Sequence, residues 1–138
     1  MKRRRELGQS MVEFALVAPI FFIVVLGMID GTRAIFAYNA ISNASREGAR
    51  YGIVHGGSSA SPVGPGVNEA ALKDYVTQYT KAFSASDLTV TPSWPSGSNA
   101  IGSKVKVDMA YKYHPMFGAL VGIKSMTLSA GATMVIVN

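Results

Sequence analysis

Gly8-Gln9-Ser10-Met11-Val12-Glu13-Phe14 stands between a basic block and an apolar run, and the reading of that junction decides the fold. Lys2, Arg3, Arg4 and Arg5 precede it, and Ala15 to Ile29 follow it without one charged residue. Met11 to Ile29 makes 19 residues with Glu13 as the sole charge, close to the roughly 20 an α-helix needs to cross a bilayer. Three kinds of element contain such a run: a cleaved secretory signal, a membrane anchor, and the buried helix of a large core. A secretory signal closes its apolar stretch with a small-residue cut site. Here Asp30-Gly31-Thr32-Arg33 follows instead, and a helical pattern continues. A uniformly apolar core helix needs a far larger protein around it than 138 residues supply. The segment therefore reads as a membrane anchor. Its basic start stays on the cytoplasmic side and residues 31–138 lie outside.

Charge and composition agree with that reading. Of the formal net charge of +5, residues 1–8 hold +3 (four Lys/Arg against Glu6), and residues 9–138 hold the remaining +2. Basicity gathered beside an apolar run orients a membrane segment and is not a nucleic-acid footprint. Cysteine is absent, which excludes a disulfide framework, a thiolate metal site and a cysteine nucleophile.

Glu13 needs a reason. A charged carboxylate at the bilayer centre costs roughly 2.5–3.5 kcal/mol on insertion scales, and less near the interface. One role is a headgroup-level residue that snorkels. The other comes from Gly8, five positions upstream. A basic leader, a Gly, that spacing and the apolar run together resemble the type IV prepilin signal, which is cut after the Gly and leaves Glu at position five of the mature chain. Cleavage between Gly8 and Gln9 creates an ammonium on Gln9. That charge pairs with Glu13 of the same or a neighbouring chain in a packed, low-dielectric bundle, and this is the reading adopted.

Pro19 lies inside the apolar run, where a proline bends a membrane helix more readily than it breaks one. Residues 30–54 contain no proline, and Ala40, Ala44, Gly48 and Gly52 recur four apart, as Gly27 and Gly31 do upstream. Such a stripe lets helix backbones approach closely; Ile35, Phe36, Tyr38 and Ile41 can pack around it. It serves either contact between subunits or packing on the chain's own outer domain. A single helix over residues 10–54 is about 67 Å long at 1.5 Å per residue.

Gly8-Gln-Ser-Met-Val-Glu-Phe-Ala-Leu-Val-Ala-Pro, Ile29-Asp-Gly-Thr-Arg33 and Asn43-Ala-Ser-Arg-Glu-Gly-Ala-Arg-Tyr51 closely resemble the TadE-like family. Its members are pilin-like or minor-pilin proteins of the tight-adherence (Tad) branch of type IV pili. The resemblance covers about the first 55 residues. It implies processing by a prepilin peptidase at Gly8-Gln9, membrane storage as a single-span precursor, and incorporation into a pilus, as structural subunit or assembly primer, at the cell surface. Its implied partners are the peptidase, other pilin subunits and inner-membrane lipid. Major pilins of this branch are usually far shorter and carry Tyr beside the motif Glu. Phe14 and the sizeable outer domain point to a minor or atypical pilin.

The rest of the chain reads as a small α+β domain. Residues 56–66 are a Gly/Ser/Pro loop. Residues 67–83 show helical periodicity through Leu72, Tyr75, Val76, Tyr79 and Phe83, with Asn68 as the expected cap. Leu88 to Trp94 is a short edge strand limited by Pro92 and Pro95. Lys104 to Tyr113 is the clearest strand, with Val105, Val107, Met109 and Tyr111 on one face and Lys104, Lys106, Asp108 and Lys112 on the other. Leu128 to Val137 closes a three-stranded antiparallel meander. The expected organisation is a leader (1–8), a transmembrane half-helix (9–30), an outer half-helix (31–55) and an outer domain (56–138).

Catalytic constellations are missing from the sequence. His55 and His114 have no second ligand at metal spacing, no Gly-rich stretch ends in Lys-Ser/Thr, and no serine sits in a nucleophile elbow. A non-enzyme without cofactor or metal is expected, and no nucleic-acid partner. Lys104, Lys106 and Lys112 read as a solvated face, with surface adhesion or DNA binding as the sharper role. Two other readings share the anchor: a non-polymerising adaptor of a pilus or secretion apparatus, which needs neither the cut nor Glu13, and a pseudopilin, which is cut but forms only short assemblies.

Overall fold

A computed structural model describes residues 2–137, with side chains from Gly8 onward; the side chains of the basic leader, Lys2 to Arg5, lie outside the described residues. One helix, α1 (Lys2–Val54), runs for 53 residues, about 80 Å at 1.5 Å per residue. It begins well before the expected residue 10 and passes through Pro19 without a break. From Gly8 to Ile29 not one residue is buried. The character of the helix changes at Asp30. Beyond it Ala37, Ile41, Ala44, Gly48, Ala49 and Gly52 are buried, with spacings of three and four that lay one continuous face inward.

That inner face is covered by α2 (Glu69–Thr77) and by an antiparallel sheet of β1 (Leu88–Ser93), β2 (Lys104–Tyr113) and β3 (Met126–Val135), in the order β1-β2-β3. The fold is α+β, as the sequence predicts. Alternation in β2 buries Val105, Val107 and Met109 and turns Lys104, Lys106, Asp108 and Lys112 away from the core. In the pairing register Val107 meets Ala132 and Val90 meets Met109. The core closes with Leu72 and Val76 of α2 and with Ile41, Val63, Trp94 and Ile136. Pro92 sits on the edge strand β1, opposite Val107, where a missing N–H is tolerated.

Three expectations shift. The helix expected over 67–83 stops at Thr77 and tightens into a 3₁₀ turn, Gln78–Thr80. There the Thr77 and Thr80 hydroxyls donate back to the Asp74 and Thr77 carbonyls. Phe83 consequently leaves the helix face and packs its ring between Phe36 and Tyr111. Asn68 stands at the N-cap position but in the left-handed conformation (φ 48°), with no side-chain cap bond; its Nδ2 donates to the Pro62 carbonyl at 3.2 Å. The last strand ends at Val135 and not Val137. Ile136 bonds to the β1–β2 loop instead, donating to Ser103 O (2.8 Å) and accepting from Gly102 N (2.9 Å).

Close approach between helix and sheet depends on two glycines. A Cβ at Gly48 would lie 2.5 Å from Val76 Cγ2 and 3.2 Å from Val107 Cγ1, and one at Gly52 would lie 2.9 Å from Val105 Cγ2. Gly48→Val is expected to destabilise the outer domain by about 1–3 kcal/mol through overpacking, read as a lowered thermal midpoint of the detergent-solubilised chain. An unchanged midpoint would mean that the helix and sheet are less tightly apposed than here.

Candidate functional site: the helix base and the membrane-exit anchor

At the base of α1, helical spacing places Gln9 and Glu13 one turn apart, and Gln9 Nε2 donates to Glu13 Oε1 at 3.3 Å. Both side chains are exposed, as is Phe14. A Cβ added at Gly8 would meet nothing within 4 Å, so no packing inside the chain requires glycine there. Glycine in a helix interior nonetheless costs about 1 kcal/mol relative to alanine. Gly27 and Gly31 are the same, with nothing within 4 Å of an added Cβ.

The stripe of small residues divides at the outer domain. Ala40 is half-buried, while Ala44, Gly48 and Gly52 lie beneath the chain's own α2 and sheet. For these three the structure shows packing on the chain's own domain, one of the two roles the sequence left open. Of the larger residues beside the stripe, Ile41 is fully buried. Ile35, Phe36 and Tyr38 remain 64%, 65% and 47% exposed beyond the apolar run, with the Phe36 ring meeting Phe83.

A second constellation lies where the helix leaves its apolar run. Asp30 is buried, and its two carboxylate oxygens accept from Met116 N (Oδ1, 2.9 Å) and Phe117 N (Oδ2, 2.8 Å). Its backbone carbonyl accepts from the Tyr113 hydroxyl at 3.0 Å. One helical residue thus clamps the end of β2 and the start of the β2–β3 loop. Burial pushes the Tyr113 hydroxyl above its ordinary pKa, and the negative charge of Asp30 adds to the shift, so the phenol stays a protonated donor. In the sequence Asp30 marks the end of the apolar run and falls within the family resemblance, but neither gives it a role of its own. The signal available was a lone carboxylate ending an apolar run, but its partners lie more than eighty residues away in the chain.

Among the described residues, the remaining polar groups are paired singly across the surface. Lys106 Nζ pairs with Asp108 at 2.7 Å on the outer sheet face, with Lys104 and Lys112 exposed near it. His114 Nε2 lies 3.5 Å from Asp87, and the His55 ring stacks on Tyr51. No cluster of metal-ligating side chains occurs among the described residues.

A long helix, bare and apolar over its first half and packed against a small antiparallel sheet over its second, is the α+β arrangement that the sequence predicts. Residues 8–50 match the family described as TadE-like protein. The match takes in Gly8, Glu13, Asp30 and the helix as far as Arg50, so it is α1, and not the outer domain, that is similar to this family. No curated protein and no solved structure matches the chain.

Proposed function

We propose that this chain is a minor or atypical pilin of a Tad-type surface filament, cut between Gly8 and Gln9 by a prepilin peptidase and acting as structural subunit or assembly primer. The observation that supports it most is the bare helix: the most apolar 18-residue window of α1 has none of its residues buried within the chain. The bilayer covers that surface in the precursor, with residues 1–8 inside and 31–138 outside, and neighbouring subunits cover it in the filament. Subunit packing falls to Glu13, Phe14, Gly27 and Gly31, joined by Ile35, Phe36 and Tyr38 just beyond the span. Ala44, Gly48 and Gly52 serve the internal packing that holds the outer domain on the rod. The role is structural and not catalytic.

The cleavage step is tested at Gly8, whose side-chain position is open. Gly8→Leu disturbs no packing in this chain, so it is expected to leave expression and membrane insertion unchanged while the leader stays attached in cells containing the peptidase. Gly8→Ala, with its small side chain, is expected to lose cutting only in part. Full removal of the leader from Gly8→Leu would contradict recognition at this residue.

A further inference from the structure

The β2–β3 connection, residues 114–125, is built unlike a solvent loop. Met116, Leu120, Val121 and Ile123 are 63%, 64%, 57% and 44% exposed, and the loop contains no Asp or Glu; its one Lys is Lys124. These apolar side chains are held outward by a defined turn and not by slack chain. Ile123 N donates to Gly118 O at 2.8 Å, and a Cβ at Gly118 would collide with the Ile123 carbonyl. Gly122 takes the left-handed conformation (φ 80°) that ends the 3₁₀ turn Gly118–Val121. Exposed apolar patches of this kind mark an interaction surface.

Position along the helix says which surface. Asp30 fixes the loop to α1, and the apolar groove between loop and helix, about 220 Å³, extends down the helix past Gly27 to Ile23. Ile23 lies six residues inside Ile29, the last residue of the apolar run, or about 9 Å along the axis. Apolar faces of interfacial segments enter a membrane to about 5–10 Å. We infer that the β2–β3 loop is a second membrane contact of the precursor, seating Met116, Leu120, Val121 and Ile123 in the acyl boundary of the outer leaflet of the bilayer that α1 spans. This rests on the spanning reading of α1. Lys124 ends the turn where a long cationic side chain reaches back to anionic headgroups. The contact sets how far the outer domain stands from the membrane and in which direction it faces, because Asp30 makes loop and helix one body.

The absence of cysteine permits a direct test with the full chain reconstituted in phosphatidylethanolamine–phosphatidylglycerol vesicles. Leu120→Cys, Leu16→Cys and Ser96→Cys are each labelled with an environment-sensitive fluorophore and exposed to acyl-brominated lipid and to aqueous iodide. Ser96 lies in the loop at the opposite end of the sheet. The inference predicts loss of Leu120 emission to brominated lipid and none to iodide, as at Leu16, with the reverse at Ser96. Iodide quenching at Leu120 while Leu16 answers only to brominated lipid would overturn the loop contact and leave the span intact. Protection of Leu120 from both quenchers that disappears as protein is diluted in lipid would assign the patch to a second protein copy, also overturning it. A Leu16 label open to iodide would remove the span itself, and the inference with it.

Discussion

Glu13→Ala is expected to abolish incorporation into filaments while membrane insertion stays intact or improves. Insertion depends on the apolar run, and removing a carboxylate from it lowers the transfer cost by at most roughly 2.5–3.5 kcal/mol. On the proposed function, assembly depends on what happens after the cut. In a chain cut between Gly8 and Gln9, the new ammonium on Gln9 is desolvated when helices pack, and Glu13 is the acidic group one turn away on the same helix; it is the only acidic residue between Gln9 and Ile29. Removing one partner of a desolvated pair typically costs about 3–5 kcal/mol, because the other charge is left buried alone. That corresponds to a loss of about two to three and a half orders of magnitude in subunit affinity. Glu13→Gln, which keeps the shape and removes the charge, is expected to fail in the same way. The check is the ratio of subunit in sheared surface material to subunit in the membrane fraction. Wild-type incorporation of both variants would eliminate the charge pairing and return Glu13 to an interfacial, snorkelling residue.

Asp30→Ala is expected to have the largest effect on the folded state. Hydrogen bonds to charged groups contribute about 1.5–3 kcal/mol each, and Asp30 accepts two from backbone N–H groups of one loop. Water can reach those donors once the loop lifts, so a net loss of about 3 kcal/mol is expected, at the low end of the sum for two bonds. The loop then loses its tie to the helix, and cleavage by chymotrypsin at Phe117 is expected to rise together with the fall in unfolding midpoint. Asp30→Asn retains an acceptor for only one of the two N–H groups and should fall between. Equal midpoints and equal protease resistance for wild type and Asp30→Ala would show that the loop is held by its apolar contacts alone.

Much of this architecture is legible locally. The strand β2 is written in strict alternation from Lys104 to Tyr113, and its bounds in the structure are those of the pattern. The α1 helix is legible because its apolar run exceeds any strand and no glycine pair or proline after Pro19 interrupts it. The α2 boundary was less so. Side chains in phase continue to Phe83, but the Thr77 and Thr80 hydroxyls compete for the helix's own carbonyls and stop it early. At the functional end, Gly8, Gln9 and Glu13 announce themselves through spacing to one another. Asp30 does not, because its role is defined by the backbone of Met116 and Phe117, and a backbone donor leaves no signature in sequence. The small-residue stripe shows the same limit. Its period says that something packs closely on Gly48 and Gly52, but only the fold shows that the partners are Val76 and Val107 for the first and Val105 for the second, all of the same chain.

The central claim, that this is a processed pilin, is tested most directly by the N-terminus of the native protein. Intact-mass spectrometry of the chain from the membrane fraction and from sheared surface fibres distinguishes the outcomes. The account predicts a chain starting at Gln9 in the fibres. A chain starting at Met1 and confined to the membrane would contradict it and favour a non-polymerising adaptor. Met1 within the fibres would mean assembly without the cut, and the pairing of Gln9 with Glu13 would fall.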